Sequence, residues 1–448
     1  MADATSGGSL GWLGILRLGL VQTALGAIVV LTTSTINRIM VVELALPAML
    51  PGALVALHYA LQVLRPRWGY GSDKGRRRTP WIVGGMAALA LGGLGAAVAT
   101  AWMGSNLTGG LLLAIGSFIL IGGGVGAAGT ALLTLLATQV HAKRRAAAAT
   151  LVWMMMIAGF VVTALVAGHF LDPFSPARLV MVSGTVSALA FLLTLLALAG
   201  VETRGSRGTE AAPPRPAADG SFRDALTQVW AEPEARRFAV FVFVSMLAYS
   251  AQDLILEPFA GTVFGLTPGQ STQLAGVQHA GVFVGMLLVG ILGSAARQRR
   301  IGSLQSWIVG GCIASALALA NLALGGLIGG GWPLQPSVFA LGVANGAFAV
   351  AAIGSMMRLA TKGTGGREGV RMGLWGAAQA VAFGLGGFLG TAAIDAARLL
   401  IDSPASAYAT VFLAEGLLFL LAAHLAIGLS RKAETDFKTT GVSMPAAS

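Results

Sequence analysis

The sequence predicts an all-α polytopic membrane protein of about twelve transmembrane helices in two six-helix pseudo-repeats. Three observations carry this. First, 55% of the 448 residues are hydrophobic and 10% charged, with a mean hydropathy of +0.78, a balance that excludes a soluble globule. Second, apolar runs of about twenty residues, the length that crosses a bilayer, follow one another along the chain. Third, rare residues recur at one spacing. Arg78 and Arg300 lie 222 residues apart, Trp153 and Trp375 also 222, and His58 and His279 lie 221 apart. Weak internal symmetry of this kind marks transporter folds. The 63 glycines let membrane helices approach closely, which favours a bundle over a barrel of alternating strands.

The spans fall near 18–38, 48–69, 80–101, 109–138, 147–169, 178–200, 238–258, 272–295, 303–326, 335–358, 373–394 and 407–428. The connections between them alternate in charge. Arg65 to Arg78, Lys143 to Arg145, 201–237, Arg297 to Arg300, Arg358 to Arg371 and the tail with Arg431 and Lys432 are basic. Residues 102–108, 259–271 and 327–334 contain no Lys or Arg. The positive-inside rule then places both termini in the cytoplasm. It also accounts for the net charge of +11 without a nucleic-acid partner; the bilayer is the partner that composition demands. No cleavable signal is expected, because the start lacks a basic region and the first apolar run is long enough to span. The single Cys312 excludes a disulfide framework and is expected in the core.

These spans divide into an N-terminal six-helix bundle over 1–200, a cytoplasmic linker over 201–237, a C-terminal bundle over 238–430 and a cytoplasmic tail over 431–448. Within the linker, AAPPRPAADG reads as flexible. The following FRDALTQVWAEPEARRF is either an amphipathic surface helix that docks a partner or a lead into the seventh span.

Charges inside apolar runs are the candidate site, since each costs at least ~2.5 kcal/mol at mid-membrane. The stretch AYSAQDLILEPFA, starting at Ala248, carries Gln252, Asp253 and Glu257. Asp253 and Glu257 are four apart and share a helix face. The stretch Asn37-Arg38-Ile39-Met40-Val41-Val42-Glu43 is its counterpart in the first half. Arg38 is about 20 residues, or ~30 Å, along its span and Asp253 about 16, or ~24 Å, so both fall toward one end. If the two spans face each other, Arg38 meets Asp253 or Glu257. The pairing is then a polar gate or substrate contact, or an ion pair that locks the halves together. Glu43, five residues from Arg38, is expected off its helical face, in the turn before Pro47.

His58 and His279 each sit in the second helix of a half. Neutral imidazole ligates metals, and a hydrogen-bonded histidine within the bundle is the plainer reading. Glu415 and His424 in the last span are nine apart and point to nearly opposite faces. One of them meets a partner or ligand, or both serve packing polarity. Trp153-Met154-Met155-Met156 suits a flat apolar ligand or fills the core. The glycine-rich run Gly116–Gly129 lacks a lysine and lies within a span, so it is a packing pattern and not a phosphate loop. There is no zinc-hydrolase motif, Walker loop or dinucleotide fingerprint, which disfavours an enzyme.

The segment GYGSDKGRRR, with Gly69, Asp73, Lys74, Gly75, Arg76, Arg77 and Arg78, resembles the loop between the second and third helices of major facilitator proteins, one residue short between Lys74 and Gly75. Together with TINRIMVVELALP (35–47) and above all AYSAQDLILEPFAGTVFGLTPGQSTQLAGVQHAGV (248–282), it makes the chain resemble the PucC/LhaA, or bacteriochlorophyll delivery, family of major facilitator-like proteins. Within that family it looks closest to the branch labelled bacteriochlorophyll synthase 44.5 kDa chain, although no prenyltransferase carboxylate motif is present. The resemblance implies a light-harvesting assembly factor that binds or delivers bacteriochlorophyll a. It would act in the intracytoplasmic photosynthetic membrane, a part of the bacterial inner membrane. Antenna polypeptides would be its partners, with the reaction-centre core or pigment-synthesis enzymes as further ones. His58 or His279 would then hold the chlorin magnesium. A secondary transporter of a small solute, proton-coupled through Asp253 or Glu257, is the alternative.

Overall fold

The computed structural model describes residues 10–65, 77–141, 144–201, 227, 229–299, 303–362 and 368–439. Among them there is no strand. The helices, in chain order, are α1 Trp12–Glu43, α2 Met49–Leu64 and α3 Thr79–Met103, then α4 Leu107–Gln139, α5 Arg145–Leu171, α6 Pro176–Leu198 and α7 Pro233–Phe264. They continue with α8 Pro268–Arg299, α9 Leu304–Ile328, α10 Leu334–Lys362, α11 Glu368–Leu400 and α12 Pro404–Thr439. Eleven of these are long and apolar enough to cross a membrane; α2 is the shorter apolar helix among the described residues. Five residues of the loop motif between α2 and α3, Gly69, Asp73, Lys74, Gly75 and Arg76, lie outside the described residues, as do most of the linker and the last residues of the tail; Arg77 is exposed just before α3.

Local chemistry sets the helix ends. Asn106, Ser175 and Ser303 accept hydrogen bonds from the backbone N–H groups of Gly109, Arg178 and Ser306, which would otherwise have no partner in the first turn. Proline opens α6 and α7, where its missing N–H costs nothing. Gly265, at φ 67°, closes α7 in the left-handed conformation that glycine adopts without strain.

Between helices the packing relies on small residues. A Cβ on Gly281 or Gly285 of α8 would collide with the backbone of Phe339 or Val343. One on Gly342 or Gly346 of α10 would collide with Gln278 or Val282. Two glycines four apart on each partner thus bring these backbones together. In the run from Gly116, Gly122 takes the backbone of His58 and Gly124 that of Gly85, while Gly116 and Gly123 meet nothing. One apolar core runs from Ile15 to Leu198 with Leu254. A second runs from Val229 to Ala426 with Val41 and Ala48. The methionine run is core: Met155 packs its sulfur on Gly19, Met156 accepts from Gln22 Nε2 at 3.1 Å, and Met154 and Met156 flank a small cluster of Ile157, Val282 and Met286 between α5 and α8. Cys312 is buried and free.

Candidate functional site

The two halves share a buried polar seam where α1 meets α7 and α8. Ser34, Thr35, Asn37 and Arg38 are all buried on α1. Ser34 Oγ donates to Glu257 Oε1, and Asn37 Nδ2 donates to the Leu254 carbonyl at 2.5 Å. The hydroxyls of Thr35 and Thr272 lie 3.0 Å apart. Arg38 Nη2 donates to the Leu266 carbonyl at 2.6 Å. These bonds form in an apolar setting, where an unmet polar group is costly, so they bind the seam more firmly than their number suggests.

The carboxylate that Arg38 meets directly is Glu43, not Asp253 or Glu257. This corrects the expectation that residues five apart on α1 point apart. The helix is widened into π-type turns over Leu31–Thr35 and Ile39–Glu43. In such turns the repeat lengthens toward five residues, which brings Arg38 and Glu43 onto one face. Glu43 therefore belongs to the helix, and the turn before Pro47 begins at Leu44. Asp253 and Glu257 do share a face but divide their partners: Glu257 reaches across to α1, while Asp253 accepts from Gln278 Nε2 of α8 at 3.1 Å. Gln252 is wholly buried, and neither of its amide atoms has a partner.

Two residues that the sequence reading passed over complete the seam. Asp395, near the end of α11, accepts from the backbone N–H groups of Ala48 and Met49 at 2.9 and 2.8 Å. Asp172, at the end of α5, accepts from Thr267 Oγ1 at 2.5 Å and Gly269 N at 3.1 Å. Each half thus lends a carboxylate to the helix start of the other, α2 and α8 respectively, where partial positive charge gathers. The two aspartates lie 223 residues apart, so the repeat spacing was a signal for them. A lone aspartate at a span end ordinarily reads as an interface residue.

The two histidines occupy different seams. His58 of α2 accepts from Gln62 at Nε2, 3.1 Å, and Gln62 in turn accepts from Arg65. Its ring nitrogen that carries a lone pair is therefore engaged. His279 of α8 donates from Nδ1 to its own helix at Ala275 O, 2.8 Å, which leaves the lone pair on Nε2. Its ring stands edge-on to Phe160 of α5 with centroids 4.9 Å apart, beside the methionine-rich cluster. Nε2 of His279 is thus open to a ligand among apolar and sulfur-bearing neighbours, whereas Nε2 of His58 is engaged by Gln62. On α12, Glu415 is buried and His424 exposed, which agrees with their opposite faces. Trp153 and Trp375, related by the repeat, differ in setting: Trp153 is 40% exposed, while Trp375 is buried and donates to Ala235 O at 3.1 Å.

A bundle of two joined halves with a buried polar seam is the major facilitator architecture, and solved structures bear this out at the level of fold. A bacterial homologue of the human lysosomal transporter Spinster, inward-facing and unoccupied, superposes with a TM-score of 0.68 at 17% identity, covering 94% of this chain and 97% of that one. A bacterial homologue of the human drug peptide transporters PepT1 and PepT2 gives 0.70 at 14% identity, covering 94% and 99%. The family model described as PUCC protein matches residues 35–434, and the chain belongs to that family. Among its relatives is the bacteriochlorophyll synthase 44.5 kDa chain of Rhodobacter capsulatus, 54% identical over 94% of this chain and 96% of the relative. Protein PucC of the same species is 30% identical over 93% and 92%.

Proposed function

We propose that the protein is an assembly factor for light-harvesting complexes, one that binds or delivers bacteriochlorophyll to antenna polypeptides in the photosynthetic membrane. The observation that carries this is the 54% identity, along nearly the whole of both chains, to a relative named for bacteriochlorophyll. The word synthase in that name is set aside in this reading: the protein handles pigment and does not make it. His279 is the residue assigned to pigment. It would hold the chlorin magnesium through Nε2, and Phe160, Met154 and Met286 would supply apolar surroundings. Bound pigment would bring far-red absorption; the chain's own contribution is to position one imidazole and exclude water around it.

The test is the absorption spectrum of protein purified in mild detergent from a phototrophic membrane and freed of antenna complexes. A far-red band in constant ratio to protein is expected. It should be lost in His279→Leu and kept in His58→Leu. Colourless wild-type protein would overturn pigment binding. The buried Ser34–Glu257 bond between facing helices favours a second reading, a small-solute transporter. Solute uptake into vesicles that stops in Glu257→Gln would establish that one instead.

A further inference from the structure

Inside the C-terminal half, three polar side chains lie in one layer between two aromatic clusters. Below it, Tyr249 of α7, Phe348 of α10 and Phe419 of α12 meet, with centroids 6.3 and 5.6 Å apart. One turn from each of these, toward the same end of the bundle, stand Gln252, Asn345 and Glu415. Above them Phe259 of α7 packs on Phe412 and Tyr408 of α12, at 4.9 and 5.5 Å. Residues three, four and seven apart share a helix face, so each of the three lies on the face of its helix that carries these rings. They are 0%, 0% and 3% exposed. Five of their atoms have no partner: both amide atoms of Gln252, Nδ2 of Asn345 and both oxygens of Glu415. Asn345 Oδ1 is held by Ser315 at 2.8 Å. Asp253 lies within electrostatic reach of Glu415.

A carboxylate and a carboxamide left wholly unpaired in a dry interior would each cost several kcal/mol, so the layer is built to hold something. Three of its unpaired atoms are hard oxygens, Gln252 Oε1 and both of Glu415, and two are amide nitrogens. Oxygen donors of this sort, one or two of them charged, suit a small monovalent cation. We propose that Gln252, Asn345 and Glu415, with Asp253 beside them, form an internal site that exchanges a proton for a sodium ion. Na⁺ enters as the Glu415 proton leaves, so the charge of the layer is unchanged. The titratable group that acts on Glu415 is Asp253 of α7. The nearest polar groups from α9 and α10 are Ser315 and Asn345. Glu257 is already engaged by Ser34.

The experiment uses the full chain in detergent, in NaCl or in choline chloride at equal ionic strength. Infrared difference spectra read the carbonyl stretch of a buried protonated carboxyl, and thermal unfolding reads binding. In wild type the band is expected in choline at low pH and should fall as Na⁺ is added, with a saturable rise in Tm. Glu415→Gln should lack both responses, and Gln252→Met should need about tenfold more Na⁺. A band that falls with rising pH yet ignores Na⁺ overturns the exchange and leaves a site for the proton alone. If wild type shows neither a pH-dependent band nor a sodium response, the proposal is overturned and the layer is a fixed structural or hydrated one. The wild-type readings decide this even if a variant fails to fold.

Discussion

Arg38 has 2% of its side chain exposed and its partner Glu43 33%, and that asymmetry sets what each substitution does. Removing Glu43 strands a buried guanidinium, with the Leu266 carbonyl and the more distant Glu257 to answer it. Glu43→Ala should therefore cost about 3 kcal/mol. Arg38→Met removes the buried charge and leaves Glu43 free to hydrate, so it should cost less. Thermal unfolding in detergent, followed by tryptophan fluorescence, would show the order; the reverse order would mean that Arg38 draws its stability from packing. Arg38, Asp253 and Glu257 were legible as charges within spans because charges stand out against an apolar run. Their pairing was not legible, because it depends on π-type turns in α1. Those turns arise from how the helix packs, and no spacing rule for a regular helix foretells them.

At the scale of the element, the α8–α10 contact makes a sharp prediction. A side chain at Gly346 would drive into the Val282 carbonyl, whereas at Gly123 on α4 it would meet nothing. Gly346→Val should cost about 3 kcal/mol through overpacking, visible as a lower Tm or loss of folded protein. Gly123→Ala should stay within about 1 kcal/mol of wild type and can gain stability from its better helix propensity. Twelve apolar runs were readable as helices, and eleven stand long enough to cross a bilayer among the described residues. Which glycines face a neighbour was only partly readable. Within Gly116–Gly129 the glycine content marks the run as a packing helix, but the neighbours alone separate Gly122 and Gly124 from Gly116 and Gly123.

At the scale of the molecule, the two halves trade caps: Asp172 for α8 and Asp395 for α2. With the hydroxyls of Thr35 and Thr272 3.0 Å apart, cysteines there would lie within disulfide reach. In a Cys312→Ala background, Thr35→Cys with Thr272→Cys should cross-link readily. Each cap contributes about 1 kcal/mol, so adding Asp172→Ala and Asp395→Ala should slow cross-linking severalfold. An unchanged rate would mean that the Ser34–Glu257 and Asn37–Leu254 bonds hold this end closed without the aspartates.

The sequence by itself determined that the chain is a helical membrane protein with two related halves and which charges lie where charges are costly. Hydropathy and spacing are properties of residue order, and the bilayer acts on them directly. Only the tertiary structure decided partners. Glu43 joined Arg38, the lone pair of His58 was taken by Gln62 while that of His279 stayed open, and both oxygens of Glu415 were buried without a partner. Each of these depends on the rotation and depth of one helix against another. Close packing of side chains from distant parts of the chain sets both, and a linear pattern carries them only faintly.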